Sequence, residues 1–170
     1  TKSDSSNVSF RHLALLAQTK SNDEQVWQSL GLNMDNPPSN ILVNRLKKMR
    51  TWINSPHFPD EMRITVIDYV PTDMFEQISQ DEIMVLENLT NMLANCQWDK
   101  DMIANCIVEA AKSIEKSPRI SYTVSYICLM GSSKGPKLAP VMAELSKQDV
   151  IDQFRRCLDS LNCCLLYTSD

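Results

Sequence analysis

Residues with short, oxygen-bearing side chains recur along this chain, each directly ahead of an apolar stripe that steps by three and four residues. Ser9, Ser39, Ser79, Asp99, Ser117 and Ser146 all hold that position. The stepping is the period of an α-helix, and the side-chain oxygens can accept hydrogen bonds from amides that a first helical turn leaves unpaired. Repeated along the sequence, the pattern predicts an all-α protein, a helical bundle with short connections. Only three glycines occur in 170 residues, so a helix end marked by one is informative. This length allows one domain or two small ones, with enough chain to bury a core.

Ser9 opens a first helix on which Phe10, Leu13, Leu16 and Ala17 recur, and "DEQVWQSL" forms a second that Gly31 stops. "LNMDNPPSN" is a loop by its turn residues, and Ser39 begins a longer helix with Ile41, Leu42, Leu46, Met49, Trp52 and Ile53 as its apolar stripe. Two prolines in "NSPHFPDEM" end it. "RITVIDYV" is β-branched and roughly alternating but has no evident pairing partner, so it is expected as an extended connector, with a turn of helix between Pro71 and Ile78.

Beyond it, Ser79-Gln80-Asp81-Glu82 is a capping box in which serine and glutamate each satisfy a free amide. Ile83, Leu86, Leu89, Met92 and Leu93 come next as one buried face, and after Asp99 Met102, Ile103, Cys106, Ile107 and Ala110 point inward. Ser117-Pro118 starts a helix that runs to Gly131, Pro136 begins a short one to Leu145, and Ser146 to Asp149 starts a last one with Val150, Ile151, Phe154 and Leu158. The expected organisation is a lead-in or linker at 1–8, a helical subdomain plus connector at 9–78, a helical bundle at 79–161 and a tail at 162–170. "CCLLYTSD" breaks the helical register and reads as a frayed end or as residues foreign to the domain.

Composition excludes several classes. A net charge of −4 argues against broad non-specific nucleic-acid binding. The charge is uneven, acidic from Asp60 to Asp99 and locally basic after Lys116. No apolar run has membrane-spanning length, and the first residues lack the apolar region of a secretory signal. The six cysteines form no C-x-x-C pair and read as buried reduced thiols; His12 and His57 have no ligand partner at metal spacing. No phosphate-cradling glycine loop or nucleophile elbow is present, and the acidic residues at helix starts are explained by the helix dipole, so no catalytic residue is assigned.

One stretch stands apart. Gly131 and Gly135 bracket "SSK", and Pro136-Lys137 comes directly after. The expectation is a left-handed glycine ending one helix and Gly135-Pro136 presenting the bare amides of the next. Ser132 and Ser133 add hydroxyls, Lys134 and Lys137 add charge, and Tyr122 and Tyr126, one turn apart, could offer ring faces to unstacked bases. The residues alone leave two readings open: an RNA contact, or a plain turn between core helices.

Longer stretches narrow the choice. "SFRHLALLAQ" (9–18), "KMRTWI" (48–53), "FPDEMRITV" (58–66), "WDKDMIANCIVEAAK" (98–112) and "LMGSSKGPKLAPVMAELSKQDVIDQFRR" (129–156) occur in order. Together they resemble the C-terminal anticodon-binding region of class I lysyl-tRNA synthetases, across about Val8 to Leu158. The resemblance implies the α-helix cage, a fold also used by glutamyl-tRNA synthetases. The family's turn runs Gly-Lys-x-x-Gly-Pro-Arg-x-Gly-Pro; here Ser132 replaces the lysine, Lys137 the arginine and Ala139 the later glycine, which keeps the turn and thins its charge.

The family's His-Ile-Gly-His and Lys-Met-Ser-Lys-Ser signatures are absent, which implies a fragment whose catalytic Rossmann domain would precede Thr1. That domain of the parent chain would use ATP with magnesium and lysine, in the cytoplasm. The implied partner of this chain is the anticodon loop of a lysine tRNA. The implied contacts are Ser132, Ser133, Lys134 and Lys137, with Tyr122 and Tyr126 beside them, Arg119, Arg155 and Arg156 as outer electrostatic contacts, and Arg11-His12 as junction residues. The alternatives are the cage of a glutamyl-tRNA synthetase and a helical protein-interaction module using the acidic middle segment.

Overall fold

The computed structural model describes residues 7–67, 70 and 72–167; of Thr72 and residues 164–167 it describes the backbone alone. Helices α1 (Phe10–Thr19), α2 (Asp23–Ser29), α3 (Asn40–Ile53), α4 (Thr72–Phe75), α5 (Gln80–Asn95), α6 (Lys100–Lys112), α7 (Pro118–Met130), α8 (Leu138–Glu144) and α9 (Lys147–Tyr167) succeed one another, with a 3₁₀ turn at Asp60–Met62. No strand occurs among the described residues. The all-α expectation holds. The chain divides into two compact units, Thr1–Ile64 and Thr65–Asp170.

In the first unit the expected caps form: Ser9 accepts from the His12 amide and Ser39 from the Leu42 amide. Asn22 does the same for α2 through the Gln25 amide. Leu13, Leu16 and Ala17 of α1 close on Val26 of α2 and on Leu42, Leu46 and Met49 of α3. Ile41, placed in the stripe from sequence, is instead 67% exposed. Leu42, Leu46 and Met49 already fill the inward face, and a residue one position earlier lies about 100° around the helix. Phe10 is half-exposed, its ring 5.1 Å from that of Trp52.

The extended stretch after Met62 satisfies its backbone without a sheet. The Gln18 side chain donates to the Met62 carbonyl (3.0 Å) and accepts from the Ile64 amide (2.8 Å), as a neighbouring strand would. In the second unit the Ile67 amide donates to the Leu129 carbonyl at 2.9 Å.

The second unit is a bundle in which α5 packs on α6, α7 and α9, α6 also packs on α7 and α8, and α9 closes against α7 and α8. Ser117 caps α7 with Pro118 at its first position, and Asp99 accepts from the Asp101 and Met102 amides. The capping box at Ser79 is half of what was expected. Its hydroxyl accepts from the Glu82 amide, but the Glu82 carboxylate bonds that hydroxyl rather than the Ser79 amide. Met102 is 41% exposed, because Ile103, Cys106, Ile107 and Ala110 complete the inward face of α6 without it.

Two further expectations are corrected. α8 begins at Leu138, not Pro136. Residues 162–167 continue α9 in the same register. Residues 168–170 of the tail expected at 162–170, much of the expected lead-in, Asp68 and Tyr69 of the expected connector, and Pro71 lie outside the described residues. Among the cysteines, Cys106, Cys128 and Cys157 are buried and Cys96 half-buried, while Cys163 is exposed and departs from the expected burial. Burial pushes the Cys106 thiol up to about 11, which keeps it protonated at neutral pH.

Candidate nucleic-acid interface

The site is the turn from α7 to α8, and it is held from behind. The last carbonyls of a helix lack intrahelical partners. In α7 they are claimed one at a time. Gly131, at φ 70°, donates its amide to the Ile127 carbonyl at 3.0 Å. The buried Gln153 of α9 donates to the Cys128 carbonyl, also at 3.0 Å. Ile67 takes the Leu129 carbonyl. The helix's own cap and contacts from two separate segments therefore fix where it stops.

Tyr126 secures the far side of the turn. Its hydroxyl donates to the Pro136 carbonyl at 2.5 Å, ten residues along the chain. Burial holds this phenol above its ordinary range, with Tyr122 acting in the same direction and the Leu138 amide against both, so it stays a donor. Gly135 lies against the ring: a Cβ there would sit 3.1 Å from Met130 Sδ and 3.4 Å from Tyr126 Cε1. The second glycine thus permits a close approach that a side chain would press apart.

Between these two anchors the turn faces solvent. Ser132, Ser133, Lys134 and Lys137 are all exposed. Ser132 donates its hydroxyl to the Lys134 carbonyl at 2.7 Å, which leaves it free only to accept. Among the described residues Ser133 and the ammonium groups of Lys134 and Lys137 have no bonded partner. The expectation that Gly135-Pro136 opens the next helix fails, and no side chain caps the helix that follows. α8 starts two residues later, the Leu138 amide lies near the Tyr126 oxygen, and Pro140 has no amide hydrogen to offer. What the turn presents is one free hydroxyl, one acceptor hydroxyl and two cations on a framed loop.

The remaining expected residues divide by distance. Tyr122 is half-buried, one helical turn before Tyr126. Arg119 lies near the start of α7, about 18 Å along the helix from Gly131 and so not part of the same corner. Arg155 and Arg156 are exposed on α9, and Arg156 donates to Gln153 Oε1 at 2.8 Å. Through that glutamine Arg156 is connected to the end of α7. Arg11 and His12 lie in the first unit, both exposed on α1.

Gln153 was not foreseen, although a signal existed: a glutamine between the apolar Val150, Ile151 and Phe154 must find a buried partner. Among the described residues no three histidine, cysteine or acidic side chains gather as a metal group, and no helix is long and apolar enough to cross a membrane.

Residues 42–158 match the family described as the anticodon binding domain. A lysine-tRNA ligase of Picrophilus torridus is 24% identical over 154 residues, covering 89% of this chain and 29% of the relative. One from Methanococcus maripaludis is 26% identical over 160 residues, covering 86% and 30%. The chain thus spans less than a third of the length of these curated relatives. Among solved structures, a glutamate tRNA ligase from Elizabethkingia meningosepticum in complex with its amino acid superposes with a TM-score of 0.53 over 86% of this chain and 27% of that one. At 15% identity this supports a shared fold.

Proposed function

This chain belongs to the anticodon binding domain family, and from that premise we propose that it reads the anticodon loop of a lysine tRNA on behalf of a larger lysine-tRNA ligase. The observation that carries the reading is the turn after Gly131, exposed, cationic and anchored on both sides. We take 79–161 as the part that performs the recognition. The catalytic domain of the parent chain, acting in the cytoplasm, would bind ATP with magnesium and lysine; none of that chemistry falls to these residues.

A lysine anticodon is rich in uridine, and uracil stacks weakly, so its bases splay out at small cost. Single-stranded loops are where proteins read RNA sequence. Ser133 offers a donor and acceptor to base edges, and Ser132 an acceptor. Lys134 and Lys137 hold adjacent phosphates, which position the loop while base contacts specify it. Tyr122 supplies ring surface, and Tyr126 acts by keeping the turn in place. Arg155 and Arg156 contribute outer attraction, and Arg119 a more distant share.

The test is filter binding of lysine, glutamate and unrelated tRNA stem-loops at several salt concentrations. The lysine stem-loop should bind tightest. Lys134→Ala with Lys137→Ala should weaken all of them alike and flatten the slope of log K against log salt by about 1.4, two single-strand phosphate contacts. Unchanged binding of the lysine stem-loop by that double variant would refute the reading. Preference for the glutamate stem-loop would transfer the chain to the glutamyl enzyme, whose cage has the same fold.

A further inference from the structure

A second surface, in the first unit, has chemistry that the proposed anticodon contact does not use. An open groove of about 560 Å³ runs along α3, lined by Asn44, Lys47, Lys48, Thr51, Trp52 and Ser55. These positions recur at three- and four-residue steps and so form one face, about 16 Å long at the rise of an α-helix. Apart from Trp52, which packs against the core, that face is turned away from the buried Leu42, Leu46 and Met49.

The cations of α3 are sorted by their surroundings. Arg45 donates to the Val8 carbonyl at 2.7 Å, and Arg50 pairs with Asp23 at 2.9 Å while also bonding the Ala17 carbonyl. Both arginines are therefore spent on holding the unit together. Lys47 and Lys48 are exposed and have no bonded partner among the described residues. No carboxylate lines the groove. Thr51 directs its hydroxyl hydrogen to the Lys47 carbonyl, and Ser55 accepts from the His57 amide, leaving its own hydrogen free. The Trp52 ring is wedged between Phe10 at 5.1 Å and Phe58 at 4.7 Å, a rigid wall rather than a flexible one.

A donor-rich, acid-free trough along a helix suits a polyanionic backbone. It lacks the fan of convergent groups that would read a base edge. We infer that the α3 groove binds the phosphate backbone of a base-paired RNA stem, without regard to its sequence. α3 lies almost wholly within the segment matched to the anticodon-binding family, residues 42–158, which favours RNA over an acidic protein as the occupant. The inference rests on the reading of this chain as RNA-binding. Lys47 and Lys48 neutralise neighbouring phosphates, Asn44 and Ser55 donate to backbone or ribose oxygens, and Trp52 sets the wall of the trough.

The test uses the whole 170-residue chain and an RNA hairpin whose stem is fully paired and whose loop is unrelated to any lysine anticodon. Affinity is measured between 50 and 300 mM salt. Lys47→Ala with Lys48→Ala should weaken binding about tenfold at the lowest salt and reduce the salt slope by roughly 1.8, two duplex backbone contacts. The loss should be the same for every stem sequence, and circular dichroism should show the fold intact. Added to Lys134→Ala with Lys137→Ala, the α3 pair should still lower this hairpin's slope by its full amount, while Lys47→Ala with Lys48→Ala should leave the ratio between lysine and glutamate stem-loops unaltered. An unchanged slope for the α3 variant overturns the groove proposal even where the anticodon loop is still discriminated. Loss of that discrimination with the hairpin slope still sensitive to Lys47 and Lys48 instead overturns the anticodon reading. Tight binding of polyglutamate that depends on these lysines, with no such dependence for the hairpin, assigns the surface to an acidic protein and also overturns the proposal.

Discussion

Two helices of this chain, α2 and α7, end beside a left-handed glycine, yet the two ends differ in nearly everything else. Gly31 stands after α2 at φ 73°, and a Cβ there would meet nothing within 4 Å. Gly131 stands after α7 at φ 70°, with Ile67 Cδ1 3.1 Å from where its Cβ would be. The loop after Gly31 is hydrogen-bonded only locally, the Leu32 amide to the Trp27 carbonyl of α2 and Asn33 to the amides of Asp35 and Asn36, while the Leu32 side chain is buried in the core. The turn after Gly131 is tied to the rest of its unit, by Ile67, by Gln153 and by Tyr126. A left-handed glycine alone makes a stop. A platform needs its backbone fixed by distant hydrogen-bond partners, and only the second end has them.

The largest expected effect comes from adding a branched side chain at each end. Gly131→Val should cost about 3 kcal/mol, combining left-handed strain with pressure on Ile67, whereas Gly31→Val should cost about 1–2 kcal/mol from strain alone. Urea denaturation of both variants measures the difference. Equal losses would mean that Ile67 yields freely and that the packing behind the turn does not constrain it.

Next in size is Tyr126→Phe, which removes the bond to the Pro136 carbonyl and should cost about 1 kcal/mol. The variant keeps the ring face. If Tyr126 works by holding the turn, stem-loop affinity falls several-fold; if it works by stacking on a base, affinity is preserved. Isothermal titration calorimetry separates the two.

The smallest effect is a pH dependence found at one end only. The folded Tyr126 phenol titrates above the ordinary 10.0 because it is buried. Its contribution to stability is therefore complete below pH 10 and is lost as pH rises through the folded value. Alkaline unfolding of the wild type should show this loss and Tyr126→Phe should not, while Gly31→Ala should leave it in place. Identical alkaline profiles for wild type and Tyr126→Phe would remove the tyrosine from the account.

Much of the fold was legible because helix starts are written locally. Ser9, Ser39, Asp99 and Ser117 each cap the helix expected of them, since an oxygen three residues or fewer from a free amide needs no distant partner. Errors arose where distant residues decide. Ile41 and Met102 fit their stripes by spacing but lie beyond the width of the face that neighbouring helices cover. The start of α8 was misplaced because Pro136 resembles a first helical residue, while in the structure its carbonyl belongs to Tyr126. Within the turn, exposure of Ser133, Lys134 and Lys137 was readable from composition. The brackets behind it were not, because Gln153 and Ile67 reach α7 from 25 and 62 residues away.

The central claim is that the α7–α8 corner touches an opened RNA loop, and contact mapping tests it most directly. A photoreactive benzoylphenylalanine placed at Ser133 should cross-link, on irradiation with a lysine tRNA, to nucleotides of the anticodon loop. Cross-links confined to paired stem nucleotides, with affinity undiminished, would contradict the account.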